Sequence, residues 1–177
     1  MSAERIAAAL VRLESVLRAR PTFGDYEEIP ATAEWQGGAK FTVHHPKGEL
    51  RVLTDLPAEL GGEGEAVTPG WLMRAGLAAC TASAIVLSAA AEGIALESLE
   101  LTAGARSDVR GLLGMADENG APVSAGFREV RLRVRISAPG VSRERLQALV
   151  ERADRQSPVS SALREAVPVE LHVELQD

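Results

Sequence analysis

Aromatic residues make up only 3% of this 177-residue chain, and Cys80 is its single cysteine. One cysteine cannot close a disulfide within the chain, so a reducing, cytoplasmic setting is the expectation. With few aromatics, the core has to be built from Ala, Leu and Val, and small side chains let helices approach closely. Histidine is equally scarce: His44 and His45 are adjacent and His172 lies far away. At the end of a strand, His44 and His45 would point to opposite faces. Neither Cys-x-x-Cys nor His-x-x-x-His spacing occurs, so no metal centre and no cofactor are expected. The run Gly61-Gly62-Glu63-Gly64 lacks the Gly-Lys-Ser/Thr of a phosphate loop, and its glutamate would repel a phosphate. Neither a Gly-x-Ser-x-Gly elbow nor a dinucleotide fingerprint is present. The net charge of −6 leaves no basic field for nucleic acid. The opening MSAERIAAALVRLESVLRAR has no apolar leader core. Residues 71–91 approach membrane-spanning length, but Arg74, Thr81, Ser83 and Ser88 interrupt them and Ala dominates. A buried helix is the better reading, with no membrane partner.

What remains is a globular balance, 46% apolar and 25% charged, in a length suited to one domain over residues 1–177. Residues 1–20 carry Ile6, Leu10, Leu13, Val16 and Leu17 at helical spacing, with Ser2 as cap and Pro21 as stop. Residues 31–66 read as a β-meander followed by a flexible acidic loop. Its strands fall at 31–36, 39–44 and 49–54, separated by Gly37-Gly38 and Pro46-Lys47-Gly48. Thr68-Pro69 opens a long helix over 69–91, and Gly93 suits its end. Residues 97–177 form a ββααβ half. Strands fall at 97–106 and 127–137, the second with Val130, Leu132, Val134 and Ile136 facing opposite to Arg131, Arg133 and Arg135. The arginine row reads as a solvated outer face paired with acidic neighbours. Ser142 and Ser157-Pro158 open two helices. A last strand, 167–175, alternates Val167, Val169, Leu171, Val173 and Leu175 with Glu170, His172 and Glu174. One-faced strands favour antiparallel sheets with helices packed on them, an α+β fold.

Only Cys80 stands out chemically. A lone cysteine among Ala and Leu is either inert packing or a nucleophile. It sits about eleven residues past Pro69, beyond the reach of the helix N-terminal dipole. Activation would therefore need a group from another element. The stretch Pro69-Gly-Trp-Leu-Met-Arg-Ala-Gly-Leu-Ala-Ala-Cys80 resembles the P-x-x-L-x-x-A-G/A-x-A-A-C helix of the OsmC/Ohr family, osmotically induced and organic hydroperoxide resistance proteins. Glu34-Trp35-Gln36-Gly37-Gly38 and Ser157-Pro158-Val159 extend the likeness over roughly residues 31–175. The resemblance implies an α+β protomer with antiparallel sheets wrapped around a long central helix, in an intertwined homodimer with the thiol at the interface. It also implies a redox, oxidative-stress function in which one cysteine attacks an organic hydroperoxide and a second resolves it, opened afterwards by a dithiol. Cys80 matches the attacking cysteine. Ser157 stands where the resolving cysteine would be, and Gly70 where the family's Glu would be. No Arg occurs in 56–66, where the family's Arg would lie. Arg74 and Arg51 are the weaker candidates for supporting a thiolate. This chain would then be a one-cysteine peroxidase using an external thiol or dithiol. The alternative is a non-catalytic dimer of the same fold, holding a small apolar ligand or serving structure alone.

Overall fold

A computed structural model describes residues 3–165 and 167–175; Ser2, the expected helix cap, lies outside them. Helix α1, Ala3–Ala19, is followed by a 3₁₀ turn at Pro21–Gly24. Strands β1 (Thr32–Trp35), β2 (Phe41–His44) and β3 (Arg51–Thr54) make an antiparallel meander in that order. Its register places Trp35 opposite Phe41 and His44 opposite Arg51. The β1–β2 turn is built on Gly37 and Gly38, both at positive φ, the region glycine enters without a Cβ penalty.

Helix α2 runs Pro69–Ala91. Thr68 caps it, its side chain accepting from the Trp71 N–H, and Pro69 takes the position where a missing N–H costs nothing. The helix ends at Gly93, which has φ +66°. Strands β4 (Ser98–Arg106) and β5 (Glu129–Ser137) pair antiparallel along their whole length. Between them lies a one-turn helix, α3 (Val109–Leu112), capped by Asp108, which the sequence pattern did not anticipate. Helix α4, Arg143–Arg155, is capped by Ser142 accepting from the Arg145 N–H, and α5 spans Pro158–Arg164.

The core lies where α2, α4 and the β4–β5 sheet meet. Ile85, Ala89, Ile94, Leu146, Leu149 and Ala153 are buried there. Each large aliphatic side chain taken out of water contributes about 1.5–3 kcal/mol. Glu92, just past α2, holds Arg145 and Arg152 of α4 and pins the two helices together. On another side, α1 packs against α2, and Leu87 lines a shallow hollow with Ile6, Ala9, Leu10 and Leu13 of α1.

Two expectations need correction. Residues 167–175 do not form a strand: they have no regular secondary structure and are exposed. Alternation supplied the pattern, but a strand needs an edge to bond to, and the sheet as folded stops at β5. The acidic loop is also not a loose linker. Asp55, 1% exposed, accepts from the backbone N–H groups of Leu56, Glu63 and Glu65, while Lys40 binds both Glu63 and Glu65.

Candidate functional site around Cys80

Three faces of α2 matter. Leu77, Thr81, Ile85 and Ala89 recur at four-residue spacing and form the buried face. Gly76, Ala79, Ser83 and Leu87 form an exposed face. Cys80 sits on the flank between them, half-buried and unbonded to any other sulfur. The thiol is therefore neither sealed in hydrocarbon nor fully in water.

Ser157 stands at the position that caps α5, yet its side chain makes no capping bond. It is fully buried, and its hydroxyl oxygen accepts from the Thr81 hydroxyl at 3.2 Å. Thus Ser157, expected from the resemblance at the resolving position, docks on α2 at the residue after Cys80. Three residues further on, Ser160, 3% exposed, donates to the Asp154 carboxylate and accepts from Arg164. Arg164 also binds the second Asp154 oxygen, at 2.6 Å. This network fixes α5, and with it Ser157, against α4 and α2.

The two arginine candidates are not brought to Cys80 within one chain. Arg74 is half-buried, about 9 Å along the helix and about 120° around it from Cys80. Its guanidinium folds back over the first turn, 3.6 Å from where a Cβ on Gly70 would lie, with the Phe127 ring at 3.4 Å from the same point. Gly70 and Arg74 are thus neighbours, one turn apart, and a carboxylate side chain at 70 would meet that guanidinium. Arg51 is exposed at the start of β3, opposite His44. His44 itself hydrogen-bonds Glu34 at 3.0 Å, and His45 accepts from the Lys47 N–H. Among the described residues no group of three His, Cys, Asp or Glu converges on a metal-sized site.

Sequence reasoning missed the clamp that sets the approach to α2. Burial pushes the Asp55 carboxyl up, but the N–H groups of Glu65, Leu56 and Glu63 and the charge of Lys40 outweigh it, holding the group below its ordinary value. Lys40 is in turn held well above the usual lysine range by its hydrogen bonds to Glu63 and Glu65. Gly62 is obligatory here, since a Cβ would lie 1.9 Å from the Leu56 carbonyl oxygen. The only sequence signal was the glycine-rich spacing; the partner, Lys40, is more than twenty residues away.

No curated protein matches the sequence. A family model described as OsmC-like protein matches residues 62–172. Among solved structures, an organic hydroperoxide resistance protein from Elizabethkingia anophelis is 32% identical with a TM-score of 0.60, over 79% of this chain and 90% of its own. An organic hydroperoxide resistance protein OsmC from Legionella pneumophila is 29% identical, TM-score 0.57, over 78% and 92%. An OsmC-like protein from Mycoplasma pneumoniae shares the fold at TM-score 0.65 and 18% identity, over 79% and 89%. The long helix bearing the single thiol, the two small antiparallel sheets and these matches agree, and the chain belongs to the OsmC-like family.

Proposed function

We propose that this protein is a one-cysteine thiol peroxidase acting on organic hydroperoxides, with Cys80 as the nucleophile. The observation that carries the reading is the half-buried Cys80 at the flank of α2, in a chain whose relatives are named for organic hydroperoxide resistance. The Cys80 thiolate attacks the outer peroxide oxygen, the O–O bond breaks, and the alkoxide leaves as an alcohol after taking a proton. Cys80 is then a sulfenic acid. Ser157 cannot resolve it, because a hydroxyl forms no disulfide. An external thiol condenses with the sulfenic acid, releasing water and leaving a mixed disulfide. A second thiol, or the other arm of a dithiol, reduces that bond and restores Cys80.

The reading includes a homodimer. Only 22% of the most apolar stretch of α2 is buried within one chain, and Trp71 and Leu87 remain 48% and 44% exposed. A second copy packed on the exposed face of Gly76, Ala79 and Ser83, next to Cys80, would bring its own cations, Arg51 or Arg74, toward the thiol. The cytoplasm is the proposed compartment, because it supplies the reducing thiols such a cycle consumes. The test is consumption of cumene hydroperoxide with a small dithiol as reductant. The protein should turn over, and Cys80→Ser should lose all turnover while keeping its fold. Equal rates for the two would leave the non-catalytic reading in place.

A further inference from the structure

The connection between β4 and β5, residues 107–128, carries the chain's single asparagine, Asn119, and a glycine follows it. Both residues are exposed. They form the tip of a tight turn that Asp117 organises. The Asp117 carbonyl accepts from the Gly120 N–H at 3.1 Å, and its carboxylate Oδ1 accepts from the N–H groups of Asn119 and Ala121 at 2.9 Å each. The Asp117 N–H donates to the Ala121 carbonyl, and Ala116 bridges to Pro122, which closes the turn at its base. Gly120 has φ +80°, and among the described residues nothing lies within 4 Å of where its Cβ would stand. The Asn119 carboxamide and the Gly120 backbone nitrogen thus meet water and each other, with no neighbour crowding the glycine.

We propose that Asn119 is a self-modification site, where the Gly120 backbone converts the carboxamide to a carboxylate as the folded protein ages. The Gly120 nitrogen gives up its proton and attacks the Asn119 Cγ. A C–N bond forms, the bond from Cγ to Nδ2 breaks, and ammonia leaves with a proton. The five-membered succinimide that results takes up water at one of its two carbonyls. Opening at one gives aspartate; opening at the other gives isoaspartate, whose main chain runs through the former side-chain methylene. Nothing is oxidised or reduced, and water is the reactant consumed. Glycine suits the attacking position because no Cβ crowds the nitrogen. The bond from the Gly120 N–H to the Asp117 carbonyl has to open first, and one such bond holds a group back by only about two- to tenfold. Either product sets a carboxylate beside Asp117 and Glu118, where like charges repel. The isoaspartate also lengthens the main chain, so the N–H groups that Asp117 gathers lose their spacing. The β4–β5 ladder lies outside the turn and is left intact.

Intact mass and peptide mapping of the full chain test this, with the protein incubated folded and, in parallel, unfolded in guanidinium chloride. The folded chain should exchange one amide for an acid no more than about tenfold slower than the unfolded chain, giving both aspartate and isoaspartate at position 119. The conversion should quicken from neutral to mildly alkaline pH, because the attacking nitrogen must first lose its proton. Asn119→Gln should stop it. Gln36, exposed and followed by Gly37, is the internal control: its extra methylene demands a six-membered ring, and it should stay unchanged. Asp117→Ala, which releases the turn, should close whatever gap remains between the folded and unfolded rates. A folded chain that converts more than tenfold slower than the unfolded one overturns the proposal, since the turn would then be a lock. A mass change that persists in Asn119→Gln overturns it as well.

Discussion

At the residue scale, three side chains show how local chemistry was set by distant partners. Ser157 reads in the sequence as a helix cap, but its hydroxyl turns to Thr81, a contact between residues 76 apart in sequence. Only its likeness to the resolving position of the family singled it out beforehand. Arg74 lies six residues before Cys80, a spacing that already puts it off the thiol's face of the helix, and its guanidinium lies over Gly70. Asp108 was not singled out at all. Hydrogen bonds from the Arg110 side chain and backbone N–H lead, and the Arg110 and Arg128 charges add, in holding its carboxyl down to about 2. A carboxyl lowered on folding stabilises the protein above its ordinary value, near 4, and that contribution is lost as pH falls toward 2. Urea unfolding at about pH 4.5 and 2.5 should show a marked fall for the natural protein. The fall should be smaller in Asp108→Asn, which has no proton to take up.

At the element scale, helices and strands were read well wherever a cap or an alternation is local. Thr68-Pro69 and Gly93 bracket α2, and the Val-Arg alternation of β5 appears directly as its two faces. Legibility failed where order depends on contacts across the chain. The loop before α2 looked flexible because it is rich in Gly and Glu. In the fold Asp55 gathers three N–H groups and Lys40 neutralises two glutamates, so the composition that suggested disorder serves a tight turn. Gly62→Ala should therefore cost about 1–3 kcal/mol, because the Leu56 carbonyl has to move to admit the methyl group. Thermal unfolding read by circular dichroism checks it. The same change at exposed Gly76, where nothing lies near, should be neutral or stabilising. An unchanged midpoint in Gly62→Ala would mean that the clamp is not held as described.

At the scale of the whole molecule, one chain leaves too much apolar surface uncovered. Trp35, Leu50, Trp71 and Leu87 are all at least 44% exposed, on the meander and on α2 alike. Pro69–Ala91 is also the one helix, among the described residues, long and apolar enough to cross a membrane. In this fold it lies against α1, β4, α4 and α5, while Gly76, Ala79, Ser83 and Leu87 stay exposed. The proposed second copy would cover that face without any lipid. Light scattering on the purified protein should return the mass of two chains at micromolar concentration. A single-chain mass would contradict the proposed dimer and remove the cations it lends to Cys80.

The thiol remains the decisive atom. Reduced protein is mixed with one equivalent of cumene hydroperoxide and quenched within seconds for intact mass analysis, with and without a small thiol. The account predicts a rapid gain of one oxygen on Cys80, replaced by a single thiol adduct when the thiol is present. An unchanged mass over minutes, with the protein folded, would contradict it.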